Sequence, residues 1–125
     1  RSVGKFAITK GRFVVIGTDG ETMLNVPIKR LKKYARQACH YCEDFTALLA
    51  DLSVGSVGSP EGWSTVIVRT ELGERVFKGM VEKGYVEAKP IEEVKPGLPL
   101  VAKLAESKRE EALKHAREAS AGPGR

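Results

Sequence analysis

Two thiols stand three positions apart in Cys39-His40-Tyr41-Cys42. At that spacing they can chelate a metal, close a redox disulfide or remain as plain reduced thiols. A redox pair of the thioredoxin kind needs a helix N-terminus, where the dipole lowers the thiol pKa. Here the pair follows the expected C-terminus of a helix, which does the reverse. A closed zinc site takes four ligands, and an iron–sulfur cluster also takes four, usually thiolates. His40 and His115 are the only histidines. One lies between the two cysteines and the other falls on a charged tail. The pattern fits metal or cluster ligation completed from outside the chain first, and inert thiols second.

A second segment, Gly55-Ser56-Val57-Gly58-Ser59-Pro60-Glu61-Gly62, carries three glycines in eight residues. Glycine lets backbone approach a ligand closely and turn its N–H groups toward phosphate or a planar ring. The spacing matches neither the dinucleotide fingerprint nor the P-loop, so a long polar turn explains it as well. Trp63, the single tryptophan, follows directly. It could stack on an aromatic ligand, but core packing is its commoner use. Asp44 and Asp51 form no acid–base pair by spacing; they suit an N-cap and a turn.

These residues need elements to position them. Residues 5–9 and 12–17 read as a β-hairpin closed by Lys10-Gly11, and Asp19-Gly20 marks a further turn. Pro27 is expected to open a helix over 28–38, with Ile28, Leu31, Ala35 and Ala38 on its apolar face. Asp44 should cap a short helix over 45–50, followed by a loop over 51–62. Residues 64–70, with Val66, Ile67 and Val68 at their centre, make the clearest strand. After a turn at 71–74, Val76, Phe77, Met80 and Val81 define a helix that Gly84 should stop. A short strand is expected at 86–89, then one long helix from Leu100 to about Ala119. The expected fold is α+β: a small, mainly antiparallel sheet with packed helices and a C-terminal helix. It places the hairpin and strand 64–70 in one sheet. Residues 1–119 form the domain, and 120–125 are expected to be a disordered tail.

The chain has 125 residues, 42% hydrophobic and 30% charged, which fits one soluble globular domain with a real core. No apolar run approaches the roughly 20 residues of a spanning helix, and no secretory signal follows Arg1. A cytoplasmic protein is expected, and the start at Arg1 suggests a piece of a longer chain. The net charge is +5, and Lys29, Arg30, Lys32, Lys33 and Arg36 supply an equal excess within eight residues. Such a block can bind an anionic cofactor, an acidic partner or nucleic acid, or stay solvated.

Taken together, three stretches resemble the beta subunit of coenzyme F-420-reducing hydrogenases and dehydrogenases, in its C-terminal part. They are Ala38-Cys39-x-x-Cys42-x-Asp44-Phe45-Thr46-Ala47, Ala50-Asp51-Leu52-Ser53-Val54-Gly55, and Gly58-Ser59-Pro60-x-Gly62-Trp63-Ser64-Thr65-Val66-Ile67-Val68-Arg69-Thr70. The resemblance implies an oxidoreductase subunit of archaeal methanogenesis, carrying FAD and a 4Fe-4S cluster. It would exchange a hydride with F-420 at the FAD and pass single electrons to the cluster. By position, Cys39 and Cys42 would be cluster ligands. Gly55, Ser56, Gly58, Ser59, Gly62 and Ser64 would face the flavin, so a side chain at 58 should obstruct it while leaving the fold mostly intact. The implied partners are the N-terminal part of the same subunit, which would complete both sites, and other subunits of the complex; nucleic acid is not expected. The contrasting reading is a non-catalytic metal-binding module that uses Cys39, Cys42 and the basic helix 28–38.

Overall fold

The computed structural model describes residues 2–122. Their contacts separate into two compact units, Arg1–His40 and Tyr41–Arg125.

The first unit is an antiparallel sheet of β1 (Val3–Thr9), β2 (Arg12–Gly17) and β3 (Thr22–Pro27), with β2 in the centre. The β1–β2 turn is made by Lys10 and Gly11, both at positive φ (47° and 72°). That is the primed geometry whose twist matches paired strands. At the second turn, Asp19 Oδ1 accepts from the Glu21 N–H and Gly20 takes φ 82°. The register aligns Phe6 with Val15 and Leu24, and Ile8 with Phe13 and Val26. Since strand residues alternate faces, these six apolar side chains share one face. Phe6 and Phe13 stack there at 5.8 Å.

The expected helix over 28–38 is not continuous. Pro27 ends β3, and Ile28–Tyr34 winds as a 3-10 helix. Ala35 is extended (ψ 146°), and a short helix α1 (Gln37–Tyr41) follows. No residue of either helix is buried. The physical reason is the charge: five cations within eight positions leave too little apolar surface to hold a long helix against anything.

In the second unit, β4 (Leu52–Gly55) pairs antiparallel with β5 (Thr65–Val68). The α+β class is as expected, but β5 joins β4 in a sheet of its own instead of joining the hairpin. Part of the expected 51–62 loop is therefore strand. Helix α2 (Glu71–Glu82) starts one turn earlier than the sequence suggests, because Thr70 Oγ1 accepts from the Gly73 N–H and caps it. Gly84, at φ 69°, ends it as expected. The Gly84 N–H reaches Val81 O, and the Tyr85 N–H reaches Met80 O, the paired bonds of a Schellman stop. No regular strand forms at 86–89. Residues 45–50 form no helix either. Asp44 instead accepts from the Thr46 and Leu48 N–H groups and closes a turn in which Ala47 has φ 53°. Helix α3 runs Gly97–Ser120, about 36 Å for its 24 residues. Of the expected tail, Ser120 ends α3 and residues 123–125 lie outside the described residues.

The expected core is thin. Among the described residues, Val15, Val101 and Ala112 are the buried apolar side chains, while Phe6 and Ile8 are 63% and 68% exposed. The elements are amphipathic as the sequence suggests, yet many of their large apolar side chains, such as Leu24 of β3, Leu72 of α2 and Leu98 of α3, are exposed.

Candidate functional site

The glycine-rich segment is the connection of the β4–β5 hairpin. Gly55 pairs with Thr65 as the last rung of the ladder, and residues 56–64 bridge them. Thr65 holds this bridge in shape. Its Oγ1 donates to Val57 O at 2.7 Å and lies 2.6 Å from Ser59 Oγ. A hydroxyl has one proton, so with Thr65 donating to Val57, Ser59 donates to Thr65. The loop is tied inward at two points by one side chain.

The six residues assigned to the loop divide into two sets. Gly58 is buried, with φ 91°; a Cβ there would stand 2.8 Å from Gly97 O and 2.9 Å from Val101 Cγ2. The Gly97 N–H donates to Gly58 O at 3.0 Å. The close approach that Gly58 permits is thus taken up by the start of α3. This corrects the expectation that a side chain at 58 would spare the fold. Ser59 is half-buried and engaged by Thr65. Gly55, Ser56, Gly62 and Ser64 are exposed, and a Cβ at Gly55 or Gly62 would meet nothing within 4 Å. Gly62 keeps φ 85°, so its backbone conformation, not crowding, asks for glycine.

Beside the loop lies a cavity of about 720 Å³. The apolar face of the hairpin (Leu52, Val54, Val66), Phe77 and Met80 of α2, and the 86–94 segment line it. Ser59, Gly62 and Ser64 reach it from the loop, and Trp63 forms part of its wall. The Lys89 ammonium sits over the Trp63 ring, 4.1 Å from its centroid. The volume and mainly apolar lining are those of a small-molecule pocket.

A second set of bonds fixes the hairpin to the preceding turn. The half-buried Arg69 donates to Ser53 Oγ, to Thr46 O at 2.7 Å and to Thr46 Oγ1 at 3.0 Å. Thr70 Oγ1 donates to Asp51 Oδ1, and the Arg69 N–H donates to Asp51 O. Asp44 and Asp51 therefore both have structural uses: Asp51 at a bend, as read from the sequence, and Asp44 closing a turn where a helix N-cap is expected. Thr65, Arg69 and Thr70 all stand inside the quoted motif, but nothing in the motif marks them as anchors. Lys89 carries no such signal, because 26 positions separate it from Trp63.

Cys39 lies within α1 and Cys42 just after it; both are free and exposed. Cys42 Sγ points toward Asp44 O at 3.6 Å. Among the described residues, no group of three or more His, Cys, Asp or Glu could hold a metal ion. The chain's own described residues thus supply two thiols and no closed centre. The basic block is exposed, with Lys33 Nζ over the Tyr34 ring at 4.9 Å. No described helix is long and apolar enough to cross a membrane.

These features define an α+β protein in which a glycine-rich hairpin loop, clamped by Thr65 and α3, borders an aromatic-lined cavity. The chain belongs to the family described as the C terminus of the beta subunit of coenzyme F420 hydrogenase/dehydrogenase, which matches residues 1–94. It is 51% identical over 107 residues to coenzyme F420 hydrogenase subunit beta of Methanosarcina barkeri, covering 86% of this chain and 36% of that protein. It is 49% identical to a subunit of the F(420)H(2) dehydrogenase of Methanosarcina mazei, covering 94% of this chain and 33% of that protein. A chain in the solved F420-reducing NiFe hydrogenase complex from Methanosarcina barkeri superposes with a TM-score of 0.85 at 49% identity, over 94% of this chain and 40% of that one. The chain thus spans between a third and two fifths of the length of these relatives.

Proposed function

We propose that this chain is the C-terminal part of a cytoplasmic oxidoreductase subunit that moves electrons between coenzyme F-420 and a 4Fe-4S cluster by way of FAD. The observation that carries this reading is the coenzyme shared by its relatives. At about half identity they divide between a hydrogenase and a dehydrogenase, yet both names specify F420. A change of electron partner around a constant coenzyme is what a module on the F-420 side should show. The partners in this reading are the remainder of the subunit and the other subunits of such a complex.

FAD, when bound, exchanges hydride on one side and single electrons on the other. The chain's part is to hold and orient it. Exposed backbone at Gly55 and Gly62 leaves room for a flat ring, and the exposed Ser56 and Ser64 of the same loop would add small hydroxyl donors. Gly58 and Ser59 act from behind, by keeping the loop on its anchor. Cys39 and Cys42 would supply two of the cluster's four thiolates. Two thiols do not make a cluster site, so no electron step is derived through them.

The test is Gly55→Val in the intact subunit. Gly55 is an exposed strand residue without positive φ, and a Cβ there meets nothing within 4 Å, so the fold should survive while FAD content and F-420 turnover fall together. Full FAD content and normal turnover in that variant would reduce the loop to a structural turn.

A further inference from the structure

We propose that Lys89 selects the ligand of the loop cavity by charge: it favours a phosphate on the side chain carried by the planar ring that stacks on Trp63. The inference rests on the flavin reading above and adds which part of the ligand the chain recognises and with what residue.

Three observations carry it. First, Trp63 is the only tryptophan and forms part of the wall of an apolar cavity of about 720 Å³, large enough for a flat heteroaromatic ring. Second, the face of that indole is held by a cation, with Lys89 Nζ 4.1 Å from the ring centroid. An exposed ammonium over a ring is a weak contact, readily exchanged for an incoming ring that buries more apolar area on the same face. Third, among the described residues that line the cavity, Lys89 is the one basic residue and Glu87 the one acidic residue. The two oppose each other for an anionic ligand, and what separates them is place: Lys89 stands at the stacking face.

The consequence is an exchange. When a planar ring enters and stacks on Trp63, the ammonium leaves the indole face. Its flexible four-carbon stem lets it remain at the rim. There it meets the edge of the ligand. A neutral ligand displaces the cation and offers it nothing. A ligand bearing phosphate gives it an anion, at the strength of a charge-assisted bond. The pyrophosphate of FAD meets this requirement; a bare isoalloxazine with a neutral ribityl chain does not.

FMN and riboflavin separate the two cases, because they share one ring system and differ by one phosphate. Equilibrium dialysis of the intact, flavin-depleted subunit against each should show FMN bound about tenfold more tightly than riboflavin, the size of one hydrogen bond to a charged group. Lys89→Gln should erase that difference by weakening FMN alone, and Lys89→Arg should restore it. Trp63→Phe should weaken both ligands in equal proportion, with circular dichroism unchanged. Equal binding of FMN and riboflavin to the unaltered subunit would overturn the role of Lys89 and leave the flavin reading standing. So would a Lys89→Gln variant that keeps the preference. Binding of neither flavin would overturn the flavin reading and this inference with it.

Discussion

Residues 1–40 carry nine basic and two acidic side chains, whereas residues 41–125 carry twelve and fourteen. The two units are also ordered by different means. In the first, an antiparallel ladder runs β1–β2–β3 with one register shift in each pairing, closed by two short turns whose residues supply the required positive φ. In the second, four-residue strands form one hairpin, and irregular segments are held to it by single residues: the Thr65 side chain on the loop, the Arg69 side chain on the 46 turn, and the Gly58 carbonyl, which accepts from the Gly97 N–H of α3. A ladder distributes its stability over many equivalent bonds, so no single side chain decides it. A hairpin pinned by a few side chains concentrates it, and there a single substitution should be felt.

The sharpest way to break that contrast is at the two loop glycines. Gly58→Val places branched carbons where a Cβ alone would meet Gly97 O at 2.8 Å and Val101 Cγ2 at 2.9 Å, at φ 91°. It should cost about 3 kcal/mol in denaturant unfolding, from overpacking and backbone strain together. Gly62→Ala shares the positive φ without the crowding and should cost about 1 kcal/mol. Equal costs at the two sites would mean that α3 does not clamp the loop.

Arg69→Met should come next, at about 2 kcal/mol, because it removes the bonds to Ser53 and Thr46 from a half-buried position. Loss of less than about 0.5 kcal/mol, the range of ordinary surface changes, would show that the turn is held by other means.

The basic block should behave oppositely. Replacing Lys32, Lys33 and Arg36 together by Gln should shift stability by no more than about 0.5 kcal/mol, since all three are exposed. The same variant should elute from a polyanion column at distinctly lower salt, because the screened attraction is gone. Unchanged elution would leave the block as a solvated surface.

The smallest expected effect is at Glu74, whose carboxylate pairs with Lys78 at 2.7 Å on the surface of α2. The hydrogen bond from Lys78, and then its charge, hold the Glu74 pKa below the ordinary 4.5. A lowered folded pKa means that the unfolded chain takes up its proton first as pH falls. The pair's contribution is therefore present above the ordinary value and is lost as pH drops through the lowered one. Stability measured at about pH 7 and about pH 3 should differ slightly less for Glu74→Gln than for the unaltered chain. An identical difference would show the pair to be without effect.

Much of the chain's organisation follows from local chemistry. The Lys10-Gly11 and Asp19-Gly20 turns, the strand around Val66–Val68, the Gly84 stop and the long C-terminal helix all follow from φ requirements and side-chain periodicity, which act within a few residues of where they are read. The glycine segment and the thiol pair are legible as candidate sites for the same reason, and the family pattern is visible in their spacing. Where the sequence reading goes astray, the deciding partner is distant. β4 exists because Leu52 can pair with Val68, which no property of 52–55 announces. The expected helix over 28–38 breaks because burial, not periodicity, sustains a helix, and none of its residues is buried. Gly58 reads as a ligand glycine until α3 is found against it, 39 positions on at Gly97. Lys89 acquires a role only once the chain has folded back to lay it over Trp63. Local geometry and hydrophobic period are written residue by residue; which remote group fills a space or covers a ring is settled only by the tertiary fold.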